Sequence, residues 1–133
     1  MPSDYDSLLH KGIALNKLGR PGEAITHFNK ALKIRPTCDR ALINKGISYD
    51  YLGQYGKARK FYDKALKLNP NNALAMYNKS CSLAWEDNLR ESLYHLKKAI
   101  DIDPRYKALA IVDDDRIFEK YKNNKQFKRL IAS

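Results

Sequence analysis

One ten-residue phrase is written three times at a fixed interval of 34 residues. It reads HKGIALNKLG from His10, NKGISYDYLG from Asn44 and NKSCSLAWED from Asn78. A unit this short cannot bury its own apolar face, so such units are stable only when stacked on copies of themselves. The repeat therefore restricts the chain to a stacked architecture before any other feature is considered.

Aligned on this interval, the units run 5–38, 39–72 and 73–106. Small residues share two columns: Gly12, Gly46 and Ser80, then Ala24, Ala58 and Ser92. Large residues share another, at Phe28, Tyr62 and Leu96, and prolines close each unit at Pro36, Pro70 and Pro104. Each unit reads as two helices. Leu8, Gly12 and Leu15 recur at three- and four-residue spacing, and so do Ala24, Phe28 and Ala31. Between them, Gly19 suits a helix end that needs positive φ, and Pro21 suits the first turn of the next helix. Gly53 repeats this punctuation, and Asp87–Asn88 takes its place in the third unit. The small columns are expected to let paired helices approach closely, with Phe28 and Tyr62 filling the space alongside. Ser3 and Asp6 read as a capping box for the first helix.

Leu42, Gly46, Tyr49, Ala58, Tyr62, Ala65 and Pro70 carry this pattern most fully, and in this it resembles the tetratricopeptide repeat family. The resemblance covers residues 5–106. The chain departs from it at Lys11, Lys45 and Lys79, where the family usually has Leu, and in its degenerate third unit. What the resemblance implies is an all-α, right-handed α-α solenoid of three helix-turn-helix repeats, with a concave groove lined by the first helices. The expectation is one domain over 1–133, with residues 107–133 as a helical C-terminal cap.

That tail breaks the repeat. KALAIV starts like a first helix, the run Asp113–Asp115 cuts it short as a solvated acidic turn, and RIFEKY and NKQFKRLI read as two short amphipathic helices. Ile117, Phe118, Tyr121, Phe127, Leu130 and Ile131 supply their apolar face. A solenoid's last repeat exposes an apolar flank. The tail is expected to cover that flank or, as the rival reading, to dock on a second copy as a homodimer.

No set of residues suggests catalysis, a metal or a cofactor. His10, His27 and His95 lack metal-ligand spacing among themselves or with Cys38 and Cys81. GRPGE is a helix–helix turn, not a phosphate loop. The expectation is a protein without enzymatic activity. With no leader-like start, no apolar run long enough to span a bilayer and two unpaired thiols, a cytoplasmic location is expected.

The resemblance also implies which residues face the groove. In the first unit these include Leu9, Ile13, Asn16 and Lys17; in the second, Arg40, Ile43, Ile47 and Tyr51; in the third, Leu74, Tyr77, Cys81 and Trp85. His10, Asn44 and Asn78 form a polar column of the groove that either lines its rim, the favoured reading, or hydrogen-bonds a peptide backbone. Leu9, Ile13, Ile43, Ile47, Tyr77, Cys81 and Trp85 make the middle of this strip apolar. If the strip is open, it suits an apolar peptide or amphipathic helix of a partner protein. The alternative is that neighbouring helices or the tail cover it. Family members that grip acidic chaperone tails need cations in a carboxylate clamp. The matching columns here hold Leu9, Ile13, Asn44, Leu74 and Asn78, and only Asn44 agrees.

The net charge of +10 lies mostly elsewhere. Lys57, Arg59, Lys60, Lys64 and Lys67 belong to a second helix, and Lys120, Lys122, Lys125, Lys128 and Arg129 to the tail. These runs read first as solvated faces, then as a surface for an acidic protein, and last as a nucleic-acid surface with Tyr55, Tyr62 and Tyr121 among the cations.

Overall fold

A computed structural model describes residues 3–112 and 116–132. The acidic run at 113–115 lies outside the described residues. The described residues form α-helices and one 3-10 turn, with no strand among them. The chain divides into two compact units, Met1–Pro70 and Asn71–Ser133. The first holds α1 (Asp4–Lys17), α2 (Pro21–Ile34), α3 (Asp39–Tyr51) and α4 (Tyr55–Leu68). The second holds α5 (Ala73–Trp85), α6 (Leu89–Ile102), α7 (Arg105–Val112), the 3-10 turn Glu119–Tyr121 and α8 (Lys125–Ala132). The fold is an α-α solenoid of helix pairs with a helical C-terminal segment. Helices α1 and α2, α3 and α4, and α5 and α6 pack as consecutive pairs, and α2 also packs on α3.

Each pair is joined by the same hydrogen-bonded turn. Arg20 N–H donates to Leu15 O at 2.8 Å and Gly19 N–H to Asn16 O at 3.0 Å. Gln54 and Gly53 repeat the two bonds to Tyr49 O and Asp50 O, and Asn88 and Asp87 repeat them to Leu83 O and Ala84 O. These are Schellman turns, which satisfy two otherwise orphaned carbonyls and require a left-handed residue. Gly19 and Gly53 supply it at φ 76° and 75°, and Asp87 takes it at φ 59°. At the first helix start, Ser3 Oγ accepts from Asp6 N–H at 3.2 Å and donates its own proton to Asp6 Oδ2 at 2.9 Å.

The repeat columns are the core. Ala24, Ala58 and Ser92, Phe28, Tyr62 and Leu96, and Ala31, Ala65 and Ala99 are all fully buried. A methyl group at Gly12 would lie 2.5 Å from Phe28 Cε1, and one at Gly46 would lie 2.5 Å from Tyr62 Cε1 and 3.0 Å from Ala58 O. The glycines are thus required by close approach, and the aromatic ring occupies the volume they leave. Burying each ring stabilises the pair by about 1.5–3 kcal/mol. In the third repeat two hydroxyls replace hydrogen and methyl. Ser80 Oγ donates to Tyr77 O at 2.6 Å and Ser92 Oγ to Ser80 O at 2.8 Å, so both buried groups are satisfied.

The tail differs in part from the sequence expectation. RIFEKY forms a single 3-10 turn, not an amphipathic α-helix. Arg116 sits at φ 51°, and Asn124 starts the next helix by accepting from Phe127 N–H at 3.0 Å, which leaves room for one turn only. Phe118 and Tyr121 stand three apart and both point inward, the spacing at which 3-10 side chains eclipse. Ile117, Phe118, Tyr121 and Phe127 are buried, while Leu130 and Ile131 are half-buried.

Candidate functional site

In the first unit, α1 and α3 lie side by side. A buried polar link fixes their register: Ser48 Oγ donates to Asn16 Oδ1 at 2.8 Å, and Asn16 Nδ2 to Asn44 O at 3.5 Å. Asn16, expected on the groove, is therefore buried. Leu9 is also buried, in a core with Tyr5, Leu15, Phe28, Ala31 and Ala41, and Ile13 packs partly against the same core. Ile43 is buried. Ile13, Asn44 and Ile47 are half-buried, and Lys17, Arg40 and Tyr51 are exposed, Tyr51 at 57%. The Asn44 amide donates back to Arg40 O at 2.9 Å, as Asn78 does to Leu74 O at 2.9 Å. What remains accessible on α1 and α3 is a half-apolar strip, Ile13 and Ile47, with Tyr51 at one end and Lys17 and Arg40 as cations.

The corresponding face of the second unit is filled. Tyr77 meets Tyr106 of α7 at a ring-centroid distance of 4.9 Å and Phe118 at 6.1 Å. Phe118 in turn meets Tyr121 and Phe127 at 6.4 and 6.1 Å. Lys120 ties this cover to the end of α5, donating to Ala84 O and pairing with Asp87 at 2.5 Å. Tyr77 is buried under this cover and Cys81 is buried as well, so neither is offered as surface. Trp85, at the end of the helix, stays 44% exposed.

Burial and neighbours shift three phenols. Burial, reinforced by a hydrogen bond to Cys38, pushes Tyr5 up to about 12. Burial likewise raises Tyr106 and Tyr121. Burial lowers Lys45, and the charges of Lys64 and Lys57 lower it further. Among the described residues, no group of three or more His, Cys, Asp or Glu is placed to hold a metal. No helix there is long and apolar enough to cross a membrane.

The cluster around Lys45 was not anticipated from sequence. Tyr49 and Phe61 stack at 5.4 Å, Lys45 and Lys64 lie over the Phe61 ring at 4.4 and 4.8 Å, and Lys57 lies over Tyr49 at 4.9 Å. The one available signal was Lys45 standing in a column that usually holds Leu. Of the aromatic residues expected among the cations, Tyr62 and Tyr121 are buried and Tyr55 is half-buried.

The family model for the tetratricopeptide repeat matches residues 5–38 and 39–72, half of the chain. The chain belongs to the tetratricopeptide repeat family. The two matched segments coincide with the first two repeats read from the 34-residue interval. Comparison with curated protein sequences returns no match. Among solved structures, this tetratricopeptide repeat protein is similar to the first TPR of Spaghetti (RPAP3) bound to the HSP90 peptide SRMEEVD. That likeness has 18% identity and a TM-score of 0.73, over 98% of this chain and 94% of that one. It is also similar to the type III secretion chaperone SycD of Yersinia enterocolitica, in complex with a peptide of the translocator YopD. There the identity is 16% and the TM-score 0.74, over 97% of this chain and 94% of that one. YrrB, described as a TPR protein with an unusual peptide-binding site, is similar at 24% identity and a TM-score of 0.70, over 92% of this chain and 58% of that one. At these identities the likeness is one of fold.

Proposed function

We propose that this tetratricopeptide repeat protein is a cytoplasmic adaptor without catalytic activity. It binds an apolar peptide or amphipathic helix of a partner protein on the α1–α3 face of its first unit. The observation that carries this reading is the partial exposure of Ile13 and Ile47 beside Tyr51 on α1 and α3. Similar folds bound to peptides support it. Tyr51 is the best candidate for an energetic anchor, because aromatic side chains supply large contact area. Lys17 and Arg40 orient the ligand. The mechanism is passive: a preformed helical surface keeps the ordering cost on the ligand's side.

The chain's own residues narrow the ligand. Leu9 and Ile13 stand where a carboxylate clamp needs Lys and Asn, so a terminal carboxylate finds no paired cation there. The ligand is instead apolar at its centre.

The test is selection of peptides from a displayed library on the full chain, followed by titration of the selected peptide. Ile47→Asp is expected to weaken binding about tenfold or more with helicity unchanged. Unchanged affinity in a folded Ile47→Asp variant would overturn the site. Binding should also change little between about 50 and 200 mM salt, whereas a nucleic-acid surface would lose affinity steeply.

A further inference from the structure

A second surface of the first unit has a different chemistry. An open cleft of about 400 Å³ lies between the C-terminal end of α2 and α4, with α3 contributing Leu42 and Lys45. Phe61, Lys64, Lys67 and Leu68 of α4 complete the wall. Lys45 and Lys64 share one aromatic ring, and the ring stacked beneath it carries Lys57. Rings attract single cations, but two ammonium groups on one ring also repel each other.

Some lysines on other helices have a carboxylate within reach. Lys97 pairs with Asp101 at 2.8 Å and Lys120 with Asp87 at 2.5 Å. Among the described residues, no salt bridge or hydrogen bond to a carboxylate reaches Lys45, Lys64 or Lys67. The fold therefore gathers these cations beside apolar walls and leaves their charge uncompensated.

We propose that this cleft binds an acidic segment of a protein partner, seating a carboxylate among Lys45, Lys64 and Lys67 and an adjacent aliphatic side chain against Leu42 and Leu68. The charge pattern specifies an anion. The leucines specify that the anion is carried next to an apolar group. Stacked bases are disfavoured, because Tyr49 and two ammonium groups already occupy the surroundings of the Phe61 ring. Burial first, and then the charges of Lys64 and Lys57, lower the proton affinity of Lys45. This site is independent of the α1–α3 face and does not rest on that reading.

The experiment uses the full chain and a short fluorescent peptide of alternating Glu and Leu, with a Lys–Leu counterpart and single-stranded oligouridylate as controls. The Glu–Leu peptide is expected to bind, and to lose affinity about tenfold or more in the double variant Lys45→Met, Lys64→Met. Lys97→Met, which removes an already paired charge, should leave binding unchanged. The double variant should melt at or above the parent temperature, so that loss of binding is not loss of fold. Three outcomes would overturn the proposal: no binding of the Glu–Leu peptide by the parent, equal binding by the double variant, or tighter binding of oligouridylate at the same salt. Ile47→Asp should leave this peptide bound. If it abolishes binding instead, the acidic peptide sits on the α1–α3 face, and this cleft is not its site.

Discussion

The two units use one repeat for different ends. In the first unit, both helix pairs interlock through a glycine opposite an aromatic ring, Gly12 with Phe28 and Gly46 with Tyr62, and the face of α1 and α3 keeps Ile13 and Ile47 partly exposed. In the second unit, Ser92 of α6 donates across the pair to Ser80 O of α5 while Ser80 bonds back within its own helix, and the face of α5 is taken by the chain's own C-terminal segment. The degeneracy of the third repeat thus has a physical content. It keeps small residues where helices touch and places Tyr77 where a tail can stack. The family model matches the first two repeats. A repeat that serves its own tail is free to depart from the consensus.

The largest expected effect tests the cover on α5. Phe118→Ala removes a fully buried ring that touches Tyr77, Tyr121 and Phe127, and should destabilise the protein by about 3–5 kcal/mol in chemical denaturation. A loss below about 1 kcal/mol would mean that the tail does not cap this unit. Next comes the interlock of the first unit. Gly46→Val drives atoms into Tyr62 and the Ala58 carbonyl and should cost about 2–3 kcal/mol, whereas Ser80→Gly in the second unit should be milder. Equal effects would erase the distinction between the two kinds of pair.

Gly53→Ala should cost about 1 kcal/mol, because φ there is 75° and alanine resists it. The smallest effect in neutral solution concerns Tyr5. Its folded pKa, about 12, lies above the ordinary value of 10, so the folded state holds the phenolic proton more tightly. The associated stability is fully present below about pH 10 and is lost as pH rises through about 12. Denaturation of the parent and Tyr5→Phe, compared at about pH 9 and about pH 11.5, should show the difference between them shrinking at the higher pH.

The helix pairs were legible because their determinants are local or periodic. Gly19, Gly53 and Asp87 mark turns by their own conformational tolerance, and the small–large columns recur at one spacing. The surface was less legible. Leu9, Ile43, Tyr77 and Cys81 share groove columns with Ile13 and Ile47, yet they are buried. For Tyr77 the reason is a tail that no repeat column encodes. Ser48 gave no sign that it would fasten Asn16, because the bond joins residues from different repeats. The cleft around Lys45 was missed for a similar reason: Phe61 reaches it only once α3 and α4 pair.

Chemical-shift mapping of a library-selected peptide on the full chain tests the central claim most directly. The account predicts shifts at Ile13, Ile47 and Tyr51, with the resonances of Tyr77, Phe118 and Phe127 unmoved. Shifts confined to those three aromatic residues, with the C-terminal segment displaced from α5, would contradict it.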